Sequence, residues 1–348
     1  MDFSDIRSYP EKIFSTYWNK VIEDPHFKVL LEHLSSHHHN IRNIVSSLKS
    51  YDQFKNLMIH MVDLLVKKTV EEISFSGTGE LKKPSKSGSI FISNHRSTSL
   101  DPILFNYMLH SETGNTAYNA AGDNLLNTSW LGHLIRLNRG FIVKRNVEDM
   151  DEKLHEAEKL SHYIHSLVKK GRNVWIAQRN GRAKDGDDRT DSAVLAMLKL
   201  SHKDKNWEDF SREIPLVPVS MSYEEIPLDT FIIRDHLGLA DTQDSRRDSG
   251  QILREIGEKK RKIHIHISPR VIGVKRAELV RKLDESIISG TKIWESNNYA
   301  ARLLHRLDSI KDKPVRWLKE KLSSQDESLQ NALIRLYAAP VINRMKLD

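Results

Sequence analysis

The densest run of reactive side chains is Asn94-His95-Arg96-Ser97-Thr98-Ser99-Leu100-Asp101-Pro102, in which a histidine precedes an aspartate by six positions. An imidazole titrates near neutrality and can take a proton from an alcohol. An aspartate on its other ring nitrogen fixes the tautomer and stabilises the imidazolium. His95 and Asp101 are therefore the candidate catalytic pair, on a loop long enough to bring them together. Asp101 also reads as an N-cap, since Pro102 and the apolar Ile103, Leu104, Tyr107 and Met108 follow it. A carboxylate has two oxygens, so capping and holding His95 are compatible.

A second run, Gln178 to Gly186, interleaves Arg179, Arg182 and Lys184 with Gly181 and Gly186, and Arg189 follows. Such a loop can wrap an anion with backbone N–H groups and guanidinium forks. Against this, Asp185, Asp187, Asp188 and Asp191 could neutralise the arginines within a solvated loop. Histidines elsewhere invite a metal reading that their spacing does not support. His37, His38 and His39 are successive and cannot all face one ion, which leaves a solvated loop. His264 and His266 alternate on one face of a strand with no carboxylate at matching spacing, so strand surface is the expectation and no metal is assigned.

The elements that must position these residues follow from periodicity. From Tyr9 to about Glu72 apolar residues recur at three- and four-residue steps (Ile13, Tyr17, Trp18, Val21; Phe54, Leu57, Met58, Met61, Leu64, Leu65), which predicts an N-terminal helical module over 1–73. Gly77, Gly79, Pro84 and Gly88 then mark a turn-rich connector and a domain boundary. Short apolar runs at Ser89–Ser93, Gly140–Val143, Asn173–Ala177, Ile214–Met221 and Ile263–Ile267 have the length of buried strands. Between the second and third, Leu154, Ala157, Leu160, Tyr163, Ile164 and Leu167 define one face of a helix. This alternation predicts an α/β domain over 74–275, with a largely parallel central sheet flanked by helices. A C-terminal helical segment over 276–348 follows, broken at Pro314 and Pro340. In it Leu329, Leu333, Leu336 and Tyr337 either lie on an anionic bilayer or, the favoured reading, are buried.

Composition narrows the classes. The chain has 348 residues, enough for a sizeable core, and its 15 glycines and 10 prolines exclude collagen-like and low-complexity classes. With no cysteine, disulfides, Cys-based zinc sites and a cysteine nucleophile are all out. No run of 18 apolar residues occurs and the first ten residues are charged, so neither a membrane span nor a secretory signal is expected. The expected place is cytoplasmic, with any membrane contact peripheral, at the inner face of the cytoplasmic membrane. A formal charge of +7 points to an anionic partner. Nucleic acid is set aside, because no recognisable binding module accompanies the charge and the arginines gather beside the His-Asp loop.

These residues resemble the glycerolipid acyltransferase superfamily, the glycerol-3-phosphate and 1-acylglycerol-3-phosphate O-acyltransferases, whose members carry His and Asp in an N-H-x-x-x-x-D block. Four blocks support the likeness in order: Asn94-His95 to Asp101, Gly140 to Arg145, Gln178 to Gly186, and Val217-Pro218-Val219. The resemblance implies a cofactor-free transfer of a fatty acyl group, without an acyl-enzyme, from acyl-CoA or acyl carrier protein to a glycerol phosphate-type acceptor in phospholipid biosynthesis. It assigns the base to His95, its orientation to Asp101, and substrate contacts to Arg96, Lys144, Arg145, Arg179, Asn180, Gly181, Arg182 and Pro218. Two departures stand out. Five residues separate His95 from Asp101 instead of four, a spacing shared by an H-R-x-x-x-L-D subgroup, and Asn180 stands where the third block has Glu. The second departure leaves open a non-catalytic lipid- or phosphate-binding member of the same fold.

Overall fold

The computed structural model describes residues 1–37, 40–82, 87–127, 129–145, 147–239, 247–305 and 315–347. Seven strands form one sheet: β1 (Val70–Ser76), β2 (Ile90–Ser93), β3 (Tyr118–Gly122), β4 (Gly140–Val143), β5 (Val174–Ala177), β6 (Leu216–Tyr223) and β7 (Lys260–Ile267). Their spatial order is β1-β7-β6-β2-β5-β3-β4. β6, β2, β5, β3 and β4 are parallel, while β7 runs antiparallel to β6 and β1 parallel to β7. The α/β expectation of a largely parallel sheet flanked by helices is met.

Alternation along the strands sends their side chains into two cores. Phe91, Trp175 and Val217 join one apolar cluster with the helices Leu100–Thr113, Glu295–His305 and Glu327–Met345. Their neighbours Ile90, Ile92, Val174, Ile176 and Leu216 join another, with Met150–Lys169, Ser192–Lys199 and Arg276–Gly290. A third cluster unites the N-terminal helices through Phe14, Trp18, Val21, Phe27 and Phe54, and takes in Trp130, Leu131 and Ile252.

Several elements differ from the sequence expectation. The helix Tyr51–Thr69, opened by a Ser50–Gln53 capping box, runs straight into β1, so residue 73 lies inside a strand. β3, of sequence Tyr-Asn-Ala-Ala-Gly, gave no apolar signal; Asn106 anchors it, accepting from Ala117 N and donating to Asn119 Oδ1. Leu154 lies in the first turn of Met150–Lys169 and is exposed, unlike the rest of its face. Pro340 does not end its helix, which continues from Glu327 to Met345 with Leu329, Leu333, Leu336 and Tyr337 buried. Because proline lacks an N–H, the Leu336 carbonyl loses its helical donor; Gly186 packs there, where an added Cβ would lie 3.0 Å from that oxygen. Pro84, Pro314, His38, His39 and residues 306–314 of the expected C-terminal helical segment lie outside the described residues, and His37 closes the helix Pro25–His37.

His264 and His266 are half-buried and turn toward β1. Ser74 Oγ is 2.8 Å from His264 Nδ1, and Ser76 Oγ is 2.8 Å from His264 Nε2 and 2.7 Å from His266 Nδ1. On that strand surface the pair forms a polar seam with the serines of β1. Among the described residues no helix is long and apolar enough to cross a membrane.

Candidate active site

Parallel strands bring their carboxyl ends to one edge of a sheet, the edge at which ligands of open α/β folds bind. The candidate residues follow β2, β4 and β5 at that edge. β2 ends at Ser93 and hands the chain to buried Asn94, whose amide closes both ways on β6: Met221 N donates to Oδ1 at 2.7 Å and Nδ2 donates to Met221 O at 3.1 Å. His95 comes next with its side chain 13% exposed, and its Nδ1 lies 2.8 Å from Asp101 Oδ2. The extra residue in the loop is accommodated and the two side chains meet.

Asp101 is fully buried and accepts four hydrogen bonds. Besides His95, Oδ2 receives Arg96 N at 2.6 Å and Ser97 N at 3.0 Å, and Oδ1 receives the Tyr223 hydroxyl at 2.5 Å. Burial and the adjacent carboxylate push the Tyr223 phenol well above its ordinary range, which keeps it a donor. Asp101 therefore does not act as the N-cap. The helix starts at Leu100, whose N–H goes to Ser97 Oγ at 3.0 Å, and Asp101 in the first turn reaches back to the preceding loop. With Nδ1 committed to the carboxylate, Nε2 is the imidazole nitrogen left for a substrate proton. The Trp175 ring stands edge-on to His95, centroids 5.8 Å apart, and limits rotation of the imidazole.

The loop after β5 is stitched to the first block. Gln178 N donates to Ser93 O at 2.8 Å and Ala183 N to His95 O at 3.0 Å, which places Arg179 to Arg182 beside the imidazole. Arg179 is partly exposed and donates to Asp187 O at 3.3 Å; Asn180 is exposed, Arg182 half-buried, and Gly181 adopts φ +73°, the left-handed region that favours glycine. Lys184 pairs with Asp235. Arg145 follows β4 and is exposed, with its guanidinium over Gly122; a Cβ at that glycine would come within 2.8 Å of Cζ. β4 is three strand spacings from β2, about 14 Å across the sheet.

Other candidates are placed differently. The Arg96 guanidinium is buried and pairs with buried Asp188 at 2.5 Å, Asp188 also receiving Asn94 Nδ2 at 3.3 Å. Burial pushes the Asp188 carboxyl up despite the arginine beside it. Lys144 Nζ sits between Asp5 at 2.7 Å and Glu156 at 3.0 Å, in a network that includes Lys159. Pro218 is buried in β6 opposite Ile92, at the rung where β7 ends, and only its carbonyl is used there, accepting from Ser268 N.

Two residues were not singled out from the sequence, Tyr223 and Glu255, while Asn94 and Asp188 were named there without the partners they take, Met221 and Arg96. Glu255, from the helix Arg247–Gly257, is fully buried against the His95–Asp101 loop. It accepts from Ser97 Oγ at 3.0 Å, Thr98 N at 3.1 Å, Ser99 N at 3.0 Å and Ser99 Oγ at 2.9 Å. A signal existed for it, since Ile252, Glu255 and Ile256 put a carboxylate in the apolar stripe of an amphipathic helix.

Residues 73–222 match the model of the family described as Acyltransferase. That span holds all the candidate substrate and catalytic residues, while Tyr223 and Glu255 lie beyond it. No curated protein matches the chain. A similar solved structure is that of PlsC, the 1-acyl-sn-glycerophosphate (LPA) acyltransferase from Thermotoga maritima, at 15% identity, 80% coverage of this chain, 92% of that chain and a TM-score of 0.41.

Proposed function

We propose, from the match of residues 73–222 to the Acyltransferase family model, that the chain moves a fatty acyl group from acyl-CoA or an acyl carrier protein to glycerol-3-phosphate or 1-acylglycerol-3-phosphate. The observation that carries the reading is the 2.8 Å contact between His95 Nδ1 and the fully buried Asp101 carboxylate. His95 Nε2 takes the proton of the acceptor hydroxyl as its oxygen attacks the thioester carbonyl. The tetrahedral adduct then expels the thiolate, which recovers the proton from the imidazolium. Asp101 stabilises that imidazolium and is itself held by three further donors. The acceptor phosphate falls to Arg179 and Arg182, with Asn180 and Gly181 in the same loop, and to Arg145. Lys144, Arg96 and Pro218 support the site from behind instead of touching substrate. The net charge of +7 suits an anionic acceptor and a peripheral stay at the inner face of an anionic bilayer.

A positioned general base contributes about 10²- to 10⁴-fold in rate. His95→Ala is therefore expected to lower turnover by that factor, in an assay of purified protein against a matrix of donors and acceptors with products followed by mass. Unchanged turnover would remove His95 from the mechanism.

One observation favours a second reading, a lipid- or phosphate-binding protein without turnover. Asn180 is an exposed amide where the resembling family has a carboxylate, and an amide cannot serve as a charged acceptor. Wild type that binds lysophosphatidic acid but turns over no donor, with turnover appearing in Asn180→Glu, would establish it. Turnover by the wild type excludes it.

A further inference from the structure

The five residues between His95 and Asp101 present five consecutive backbone N–H groups, and each has an identifiable acceptor. Arg96 N and Ser97 N go to Asp101, Thr98 N and Ser99 N go to Glu255, and Leu100 N goes to Ser97 Oγ. Ser97 Oγ and Ser99 Oγ both donate to Glu255 Oε2 as well. Two carboxylates thus divide the loop between them, one inside it and one brought from 154 positions further along the chain.

We propose that Glu255 is a positioning residue for the His95–Asp101 pair: by gripping Ser97, Thr98 and Ser99 it fixes the loop from which Asp101 reaches back to the imidazole. The argument is geometric. Asp101 Oδ2 is shared among His95 Nδ1, Arg96 N and Ser97 N, so the direction of the carboxylate depends on where residues 96 and 97 stand. Residue 97 is held on its other side only through its hydroxyl, which joins Glu255 to Leu100 N. Without Glu255, two part-buried backbone donors lose their acceptor and the middle of the loop must move to find another. Tyr223 restrains Asp101 from β6, but it contacts Oδ1 and leaves the loop unrestrained. Glu255 has no exposed surface and so acts through the loop, never on substrate. As a positioning residue it rests on the general-base reading of His95.

The test compares wild type, Glu255→Ala and Glu255→Gln for turnover and for the downfield proton resonance of the His95 Nδ1–H, identified by its disappearance in His95→Gln. Misplacement of reacting groups by about 1 Å costs up to about 10²-fold. Glu255→Ala is expected to lose about 10- to 100-fold in kcat with KM for donor and acceptor within about twofold, and to broaden or lose the downfield signal. In Glu255→Gln the amide oxygen, placed where Oε2 stands, still accepts from Ser99 N and both serine hydroxyls, and only the Thr98 N–H loses its acceptor, so much of both readouts should return. Should the alanine variant not fold, Ser97→Ala/Ser99→Ala keeps the buried carboxylate but removes both hydroxyl donors, and the same loss of kcat and signal is expected at about 5- to 20-fold. Folded variants that keep the downfield signal and wild-type kcat overturn the proposal, as does lost turnover fully explained by a lower folded fraction. If the wild type turns over no substrate yet Glu255→Ala still abolishes the resonance, the positioning role stands and the acyl-transfer reading falls.

Discussion

Arg96 adjoins the candidate base in sequence, yet its guanidinium is enclosed with the Asp188 carboxylate at 2.5 Å, both nearly without solvent contact. Removing one member of a buried pair leaves the other uncompensated and costs about 3–5 kcal/mol, whereas replacing both with apolar groups is often neutral. Arg96→Ala is therefore expected to lower stability by about that amount in urea unfolding, and Arg96→Met/Asp188→Leu to recover at least half of it. A fully stable Arg96→Ala whose KM for the phosphate acceptor rises tenfold would instead make the guanidinium a substrate ligand. The same residue shows where sequence reading stops. That His95 and Asp101 could meet was legible from residue type and spacing, because both lie on one short loop. That Arg96 turns inward was not, because Asp188 is 92 positions away and nothing local distinguishes it from the other aspartates around it.

At the scale of elements, legibility followed burial on both faces. β2, β5 and β6 are continuous apolar runs because helices cover both sides of the central sheet, and each was visible as a strand. β1 lies at the sheet edge and alternates Glu, Ser and apolar residues, so its pattern merged with the helix before it and the turns after it. Its neighbour β7 was seen from Ile263 onward, but that it reverses against β6 could not be read from its composition. The C-terminal helix is the sharpest case. Proline at 340 is a stop signal in isolation, yet tertiary contacts outweigh it: Tyr337 is buried with its hydroxyl on Asp229 Oδ2 at 2.5 Å, and Asn343 Nδ2 reaches Gly186 O at 3.2 Å. The helix is thereby fastened to the loop that carries Arg179 to Arg182, and the third block depends on a residue 157 positions downstream.

Across the whole molecule, both faces of the sheet are sealed by helices, and titratable groups caught in those seals couple its stability to pH. His165 of the Met150–Lys169 helix is such a group. It is 7% exposed, donates Nε2–H to Leu198 O at 2.7 Å, and packs against the His202 and Phe210 rings. Burial drives its pKa down from 6.5 to about 4, only partly offset by the Leu198 carbonyl and reinforced by His202, His162 and Lys205. The unfolded chain protonates His165 below pH 6.5 while the folded chain excludes that proton until about pH 4. The unfolded state thus binds more protons in this window, and stability falls as pH falls. The contribution is fully present above pH 6.5, and by pH 5 the deficit from this one side chain is about 2 kcal/mol. His165→Gln keeps a donor for Leu198 O and cannot titrate, so it removes the term without emptying the site. Urea midpoints measured at pH 8 and pH 5 should differ less in His165→Gln than in wild type by an amount equal to that 2 kcal/mol. Parallel pH dependences in the two proteins would show that His165 is protonated in the fold, and that the joint between the two helices admits a charge that its geometry leaves unpaired.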